Sequence, residues 1–135
     1  MSAMVTARRR GGFTHDVEVD GHTIVVDEPE EAGGGGRGPR PTRLVGAALA
    51  ACTAITVEMY AKRKEWNLGA VEVDVDIDYD GPVPAVFTLT LRVECELDDD
   101  QLERLRVIAG KCPVHRALAS ETEVAIEDRI ERVDA

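Results

Sequence analysis

A single domain mixing helices with strands is predicted for this chain, on three observations. Asp20-Gly21 separates two extended runs, the uncharged stretch from Leu44 to Val57 sits inside a longer helical run, and Val71 to Asp80 alternates strictly between apolar and acidic residues. At 135 residues the chain has the length of one domain, 1–135, with enough interior to bury a core unaided.

Thr14 to Val19 and His22 to Asp27 read as the two strands of a β-hairpin, because Asp-Gly suits the tight turn that matches strand twist. Glu28 to Arg40 combines a glycine run with two prolines and reads as a loop. No Gly-Lys-Ser/Thr follows the glycines, so a phosphate cradle is not expected there.

Pro41 to Trp66 reads as one long helix, with proline in the first turn and Lys62, Arg63 and Lys64 where cations suit the helix dipole. Its body carries no charge on any face, so it needs cover all round, which a chain this short obtains from a partner subunit. In Val71 to Asp80 the apolar residues Val71, Val73, Val75, Ile77 and Tyr79 share one face, a half-buried strand whose acids point to solvent rather than converge on an ion. After the turn at Gly81 to Pro84, Phe87 to Leu97 alternates again and directs Cys95 into the core as a structural thiol. Asp98 to Asp100 cap a helix with the stripe Leu102, Leu105, Ile108 and Ala109. Pro113 starts a short helix after a break at Cys112, and a final strand is expected around Val124 to Ile130.

Composition excludes several classes of function. A net charge of -10 repels phosphate backbones and anionic lipid, so no nucleic-acid partner is expected. The uncharged stretch is shorter than the roughly 20 residues a bilayer span needs, so no membrane span is expected. The N-terminal charges follow a short apolar stretch instead of preceding a long one, which does not fit a signal peptide, and a cytoplasmic location follows. Three cysteines, an odd number, favour free or catalytic thiols over a disulfide framework.

The chemistry centres on Cys52, within the long helix, and Cys112, at the start of a short one. Helix dipoles point positive charge at a sulfur in the second position, so a lowered Cys112 thiol pKa is expected. Cys52 lies mid-helix and needs a cation from elsewhere; Arg43, nine residues earlier, is about 13 Å away along the axis. His115, three positions beyond Cys112, is placed to tune either thiol if they meet, or simply to cap the helix. Cys112 and His115 have the spacing of half a zinc site but lack a second local pair, so no metal is expected.

The blocks Gly38-Pro-Arg-Pro41 with Leu44, Ala47 to Trp66 around Cys52, and Gln101 to His115 around Lys111-Cys-Pro-Val-His115 resemble the OsmC/Ohr family of thiol-dependent hydroperoxide reductases, in order and over nearly the whole chain. The resemblance implies an α+β, OsmC-like fold: an N-terminal β-hairpin, a long buried central helix, antiparallel strands, a second helical segment and an intertwined homodimer. It implies that Cys52 attacks the peroxide and Cys112 resolves the sulfenic acid as a disulfide. No cofactor is implied, and the partners are a hydroperoxide substrate and a dithiol reductant of lipoyl or thioredoxin type. An apolar surround of Ala, Leu, Ile and Met would favour organic peroxides. The family's best-known peroxidases carry glutamate where this chain has Thr42, followed by Arg43, which makes these two the candidate supporting residues beside His115. An arginine from the hairpin completes their site, and none of Arg8, Arg9, Arg10, Arg37 or Arg40 matches it securely. The alternative classes are an OsmC-fold redox sensor and a small lipophilic ligand-binding protein.

Overall fold

A computed structural model describes residues 1–134. It is an α+β fold of two antiparallel sheets and three helices: β1 (Val5–Gly11), β2 (Thr14–Val19), β3 (His22–Val26), α1 (Pro41–Arg63), β4 (Leu68–Asp80), β5 (Val83–Cys95), α2 (Asp99–Ala109) and α3 (Pro113–Leu118). The chain divides into two compact units, Met1–Ala51 with Val73–Thr90, and Cys52–Glu72 with the chain from Leu91 on. Helix α1 and the β4–β5 hairpin each contribute one part to either unit.

In the first unit the predicted hairpin forms β2 and β3, with Asp20 and Gly21 both at positive φ (49° and 77°), the left-handed pair that a tight turn of matching twist requires. Strand β1 was not expected. It pairs antiparallel with β2, and its side chains carry no apolar alternation, because cross-strand charge takes the place of packing. Arg8 meets Glu18 at 2.8 Å and Arg10 pairs with Asp16. Charged side chains of this kind also suit an exposed sheet edge.

The glycine-rich loop is fixed from inside. Buried Asp27 accepts hydrogen bonds from Thr14 Oγ1 (2.7 Å) and from the backbone N–H groups of Glu28 (2.7 Å), Gly35 (3.3 Å) and Arg37 (3.2 Å). Gly46 marks a close approach of α1 to β4: a Cβ there would come within 2.7 Å of Ile77 Cδ1.

In the second unit the core is Val57, Tyr60, Leu105 and Ile108, with Trp66, Leu68, Leu91 and Leu97 packed against it. Tyr60 and Trp66 meet edge to face at 5.6 Å, and Arg104 Nε donates to the Tyr60 hydroxyl at 3.1 Å. Helix α2 opens with a capping box in which Asp98 accepts from Gln101 N (2.8 Å) and Gln101 Oε1 accepts from Asp98 N (3.0 Å).

Within the single chain helix α1 is covered along one stripe, Gly46, Leu49, Thr53, Val57, Tyr60 and Ala61, leaving Ile55 55% and Met59 65% exposed. An all-round apolar helix has more surface than one short chain can cover. By length and composition alone α1, which extends beyond its uncharged stretch, is long and apolar enough to cross a membrane, a test that a core helix passes as well. Two expectations are corrected. Cys95 faces inward with Leu91, Val93 and Leu97 but is half-buried, since β5 is covered incompletely. The final strand around Val124 to Ile130 is absent: residues 123–134 form neither helix nor strand, and Val124, Ile126 and Ile130 are exposed. Alternation supplies a face, but a strand also needs a hydrogen-bonding neighbour, and among the described residues none pairs with this segment.

Candidate functional site

Two segments of the second unit bring the sulfurs together. Cys52 lies on α1, half-buried, one residue before the fully buried Thr53. Cys112 lies at the N-cap of α3, where Pro113 occupies the first helical turn and obliges the chain to enter from an extended conformation. The Cys112 side chain is 0% exposed; its sulfur accepts from the His115 backbone N–H at 3.4 Å, and the side chain of Cys52 is near enough to act on its ionisation. The three cysteines are free thiols.

The electrostatics of Cys112 reverse the sequence expectation. Burial pushes its thiol up, and the hydrogen bond and charge of Cys52 push it further, while the His115 N–H and the Thr53 hydroxyl pull the other way and lose. The dipole of a one-and-a-half-turn helix cannot outweigh the removal of water from a sulfur with no exposed surface. Cys112 rests as a neutral thiol, and Cys52 is the one of the two with access to solvent.

His115 is gathered with the thiols through its backbone, and its Nδ1 is buried without a hydrogen-bond partner. Thr42 and Arg43 are engaged elsewhere. Thr42 Oγ1 hydrogen-bonds the Tyr79 hydroxyl at 2.9 Å, and the Arg43 guanidinium lies 5.2 Å from the Tyr79 ring centre. Tyr79 was read in the sequence only as the last apolar residue of its strand. Four of the five hairpin and loop arginines are likewise occupied: Arg8 and Arg10 by acids of β2, Arg9 by the Gly12 carbonyl at 3.0 Å, and Arg40 by Glu31 at 3.8 Å, while Arg37 gives its backbone N–H to Asp27. Among the described residues no group of three or more His, Cys, Asp or Glu side chains is gathered for a metal ion.

The first unit also holds a cavity of about 780 Å³, lined by Phe13, Val17, Ile24, Val26, Leu44 and Ala47 among others. Its wall is mainly aliphatic, and no cysteine contributes to it.

An α+β fold of this kind has counterparts among solved structures. A protein of Psychrobacter arcticus described as a putative osmotic stress induced and detoxification response protein shares 21% identity, with 87% of this chain and 88% of that chain covered and a TM-score of 0.76. An organic hydroperoxide resistance protein OsmC of Legionella pneumophila shares 22% identity over 87% and 89% of the two chains, with a TM-score of 0.63. The organic hydroperoxide resistance protein OhrB of Bacillus subtilis shares 25% identity over 87% and 90%, with a TM-score of 0.54. No curated protein matches the sequence. The family described as OsmC-like protein matches residues 33–127, and the chain belongs to that family. The likeness to these solved structures shows the fold of the chain.

Proposed function

We propose that this protein reduces organic hydroperoxides through a cycle carried by Cys52 and Cys112. The observation that carries the reading is that Cys52, with access to solvent, acts on the ionisation of Cys112, which has none. Cys52, as thiolate, attacks the terminal oxygen of the hydroperoxide: an S–O bond forms, the O–O bond breaks, and the alkoxide leaves as alcohol after taking a proton. Cys112 then attacks the sulfenic sulfur; an S–S bond forms, the S–O bond breaks and water leaves. An external dithiol of lipoyl or thioredoxin type exchanges with this disulfide and returns both thiols. The balance is one hydroperoxide and one dithiol giving alcohol, water and the oxidised dithiol. Neither cofactor nor metal takes part.

The division of labour follows from burial. A fully buried neutral thiol is a poor first nucleophile toward an incoming peroxide, but it is well placed to meet a sulfenic acid formed beside it. His115 supports this through the N–H it gives to the Cys112 sulfur. Thr42 and Arg43, held on Tyr79, act as structural residues in this reading.

We read residues 1–135 as one OsmC-like domain that works as a cytoplasmic homodimer. The uncovered apolar residues of α1, Ile55 and Met59 above all, call for a partner surface.

The test is consumption of tert-butyl hydroperoxide with a dithiol reductant. The unsubstituted protein is expected to turn over, Cys52→Ser to fall to background, and Cys112→Ser to lose sustained turnover. Equal background rates in all three would end the enzyme reading. A second reading, a binding protein for a small lipophilic ligand, is favoured by the aliphatic cavity of the first unit. Saturable binding of an aliphatic probe there, with no turnover, would select it.

A further inference from the structure

Thr53 carries a buried hydroxyl with nothing to do in the resting protein. The residue is 1% exposed, and its Oγ1 has no hydrogen-bond partner. A threonine inside a helix ordinarily returns its hydroxyl to the carbonyl four residues back, here that of Leu49, yet Thr53 does not. It does act on the Cys112 thiol, whose pKa it lowers, yet it forms no hydrogen bond to that sulfur in the resting protein. A purely structural site would be filled better by valine, which has the same shape and no polar atom to leave unsatisfied.

An idle donor beside a neutral thiol becomes a strong one beside a thiolate, because hydrogen bonds to charged acceptors are about twice as strong as neutral ones. Resting on the two-thiol cycle for its purpose, we infer that Thr53 is a positioning residue whose Oγ–H is reserved for the anionic form of Cys112. The cycle makes that anion twice. Cys112 must lose its proton to attack the sulfenic sulfur of Cys52, where S–S forms and S–O breaks. When the external dithiol attacks Cys52 in the disulfide, a new S–S bond forms, the old one breaks, and the electron pair returns to Cys112. In both events the oxygen of Thr53 gives its hydrogen to a charge that has no water near it. Cys52 from α1 is the titratable side chain that acts on this sulfur, and His115 of α3 contributes its backbone N–H.

The inference can be tested without peroxide. In reduced protein carrying Cys52→Ala and Cys95→Ala, Cys112 is the sole thiol, and its ionisation can be followed by ultraviolet thiolate absorbance. Adding Thr53→Val is expected to lower the thiolate fraction at a given alkaline pH by about tenfold, the loss expected for one hydrogen bond to a charged group. Thr53→Ser is expected to keep most of it. The melting temperature of Thr53→Val should stay level or rise, since an unsatisfied hydroxyl has been removed, so a titration shift there reads the hydroxyl and not the fold. An unchanged titration in Thr53→Val, or a shift that Thr53→Ser fails to restore, overturns the inference. Neither result depends on turnover, so the peroxidase reading stands or falls separately by its own assay.

Discussion

Asp27 accepts four hydrogen bonds while lying out of water, and the Thr14 hydroxyl, the largest influence on it, holds its carboxyl down to about 2 against the opposing pull of burial. The folded pKa is thus below the unfolded value of about 4. The carboxylate's contribution to stability is complete above about 4 and is lost as pH falls toward 2. Asp27→Asn should therefore cost stability at neutral pH, and its deficit against the unsubstituted protein should shrink on acidification through that window, as measured by denaturant unfolding at a series of pH values. A constant deficit would show that the ionised form is not what the loop requires. Nothing in the sequence marked Asp27 beyond its place at the end of a strand, because its four donors come from a partner strand and from a loop whose path local pattern does not encode. Thr53 left a fainter signal: it lies four residues from Leu49 and from Val57, on the stripe that proved to be buried. Cys112 was placed correctly at its helix start, but its ionisation was read the wrong way, since the dipole is visible in sequence and the depth of burial is not.

Helix α2 shows where local pattern suffices. The three acids at its start became a capping box and a first turn, and of the expected stripe Leu105 and Ile108 are buried. Leu105 is 1% exposed against Val57 and Tyr60, so Leu105→Ala should destabilise the fold by about 2–5 kcal/mol, read as a shift of the denaturant midpoint. A change of a few tenths would mean that the second unit's core is not organised around this side chain. The hairpin, β4 and β5 were equally legible, each through a period of two or a turn pair. Strand β1 escaped notice because arginines opposite acids stabilise it without any apolar alternation. The tail from Val124 misled in the opposite sense: it has the alternation and lacks the neighbour.

At the scale of the molecule, α1 presents more apolar surface than its own chain covers. Ile55 and Met59 are more than half exposed at the centre and end of a helix whose opposite stripe is buried. In a monomer, Ile55→Asp with Met59→Asp would change stability little, because exposed substitutions usually stay within about 0.5 kcal/mol. In the proposed homodimer the same pair buries charge without partners and should yield monomers in sedimentation velocity; an unchanged sedimentation coefficient would remove these residues from the interface. The redox proposal is tested most directly by peptide mapping of the reduced protein after one equivalent of an organic hydroperoxide, with no reductant present. A Cys52–Cys112 disulfide, reversed by added dithiol and absent in Cys52→Ser, is the expected product. Oxidation of Cys52 to sulfinic acid with Cys112 left as a free thiol, or no change at either sulfur, would contradict the account.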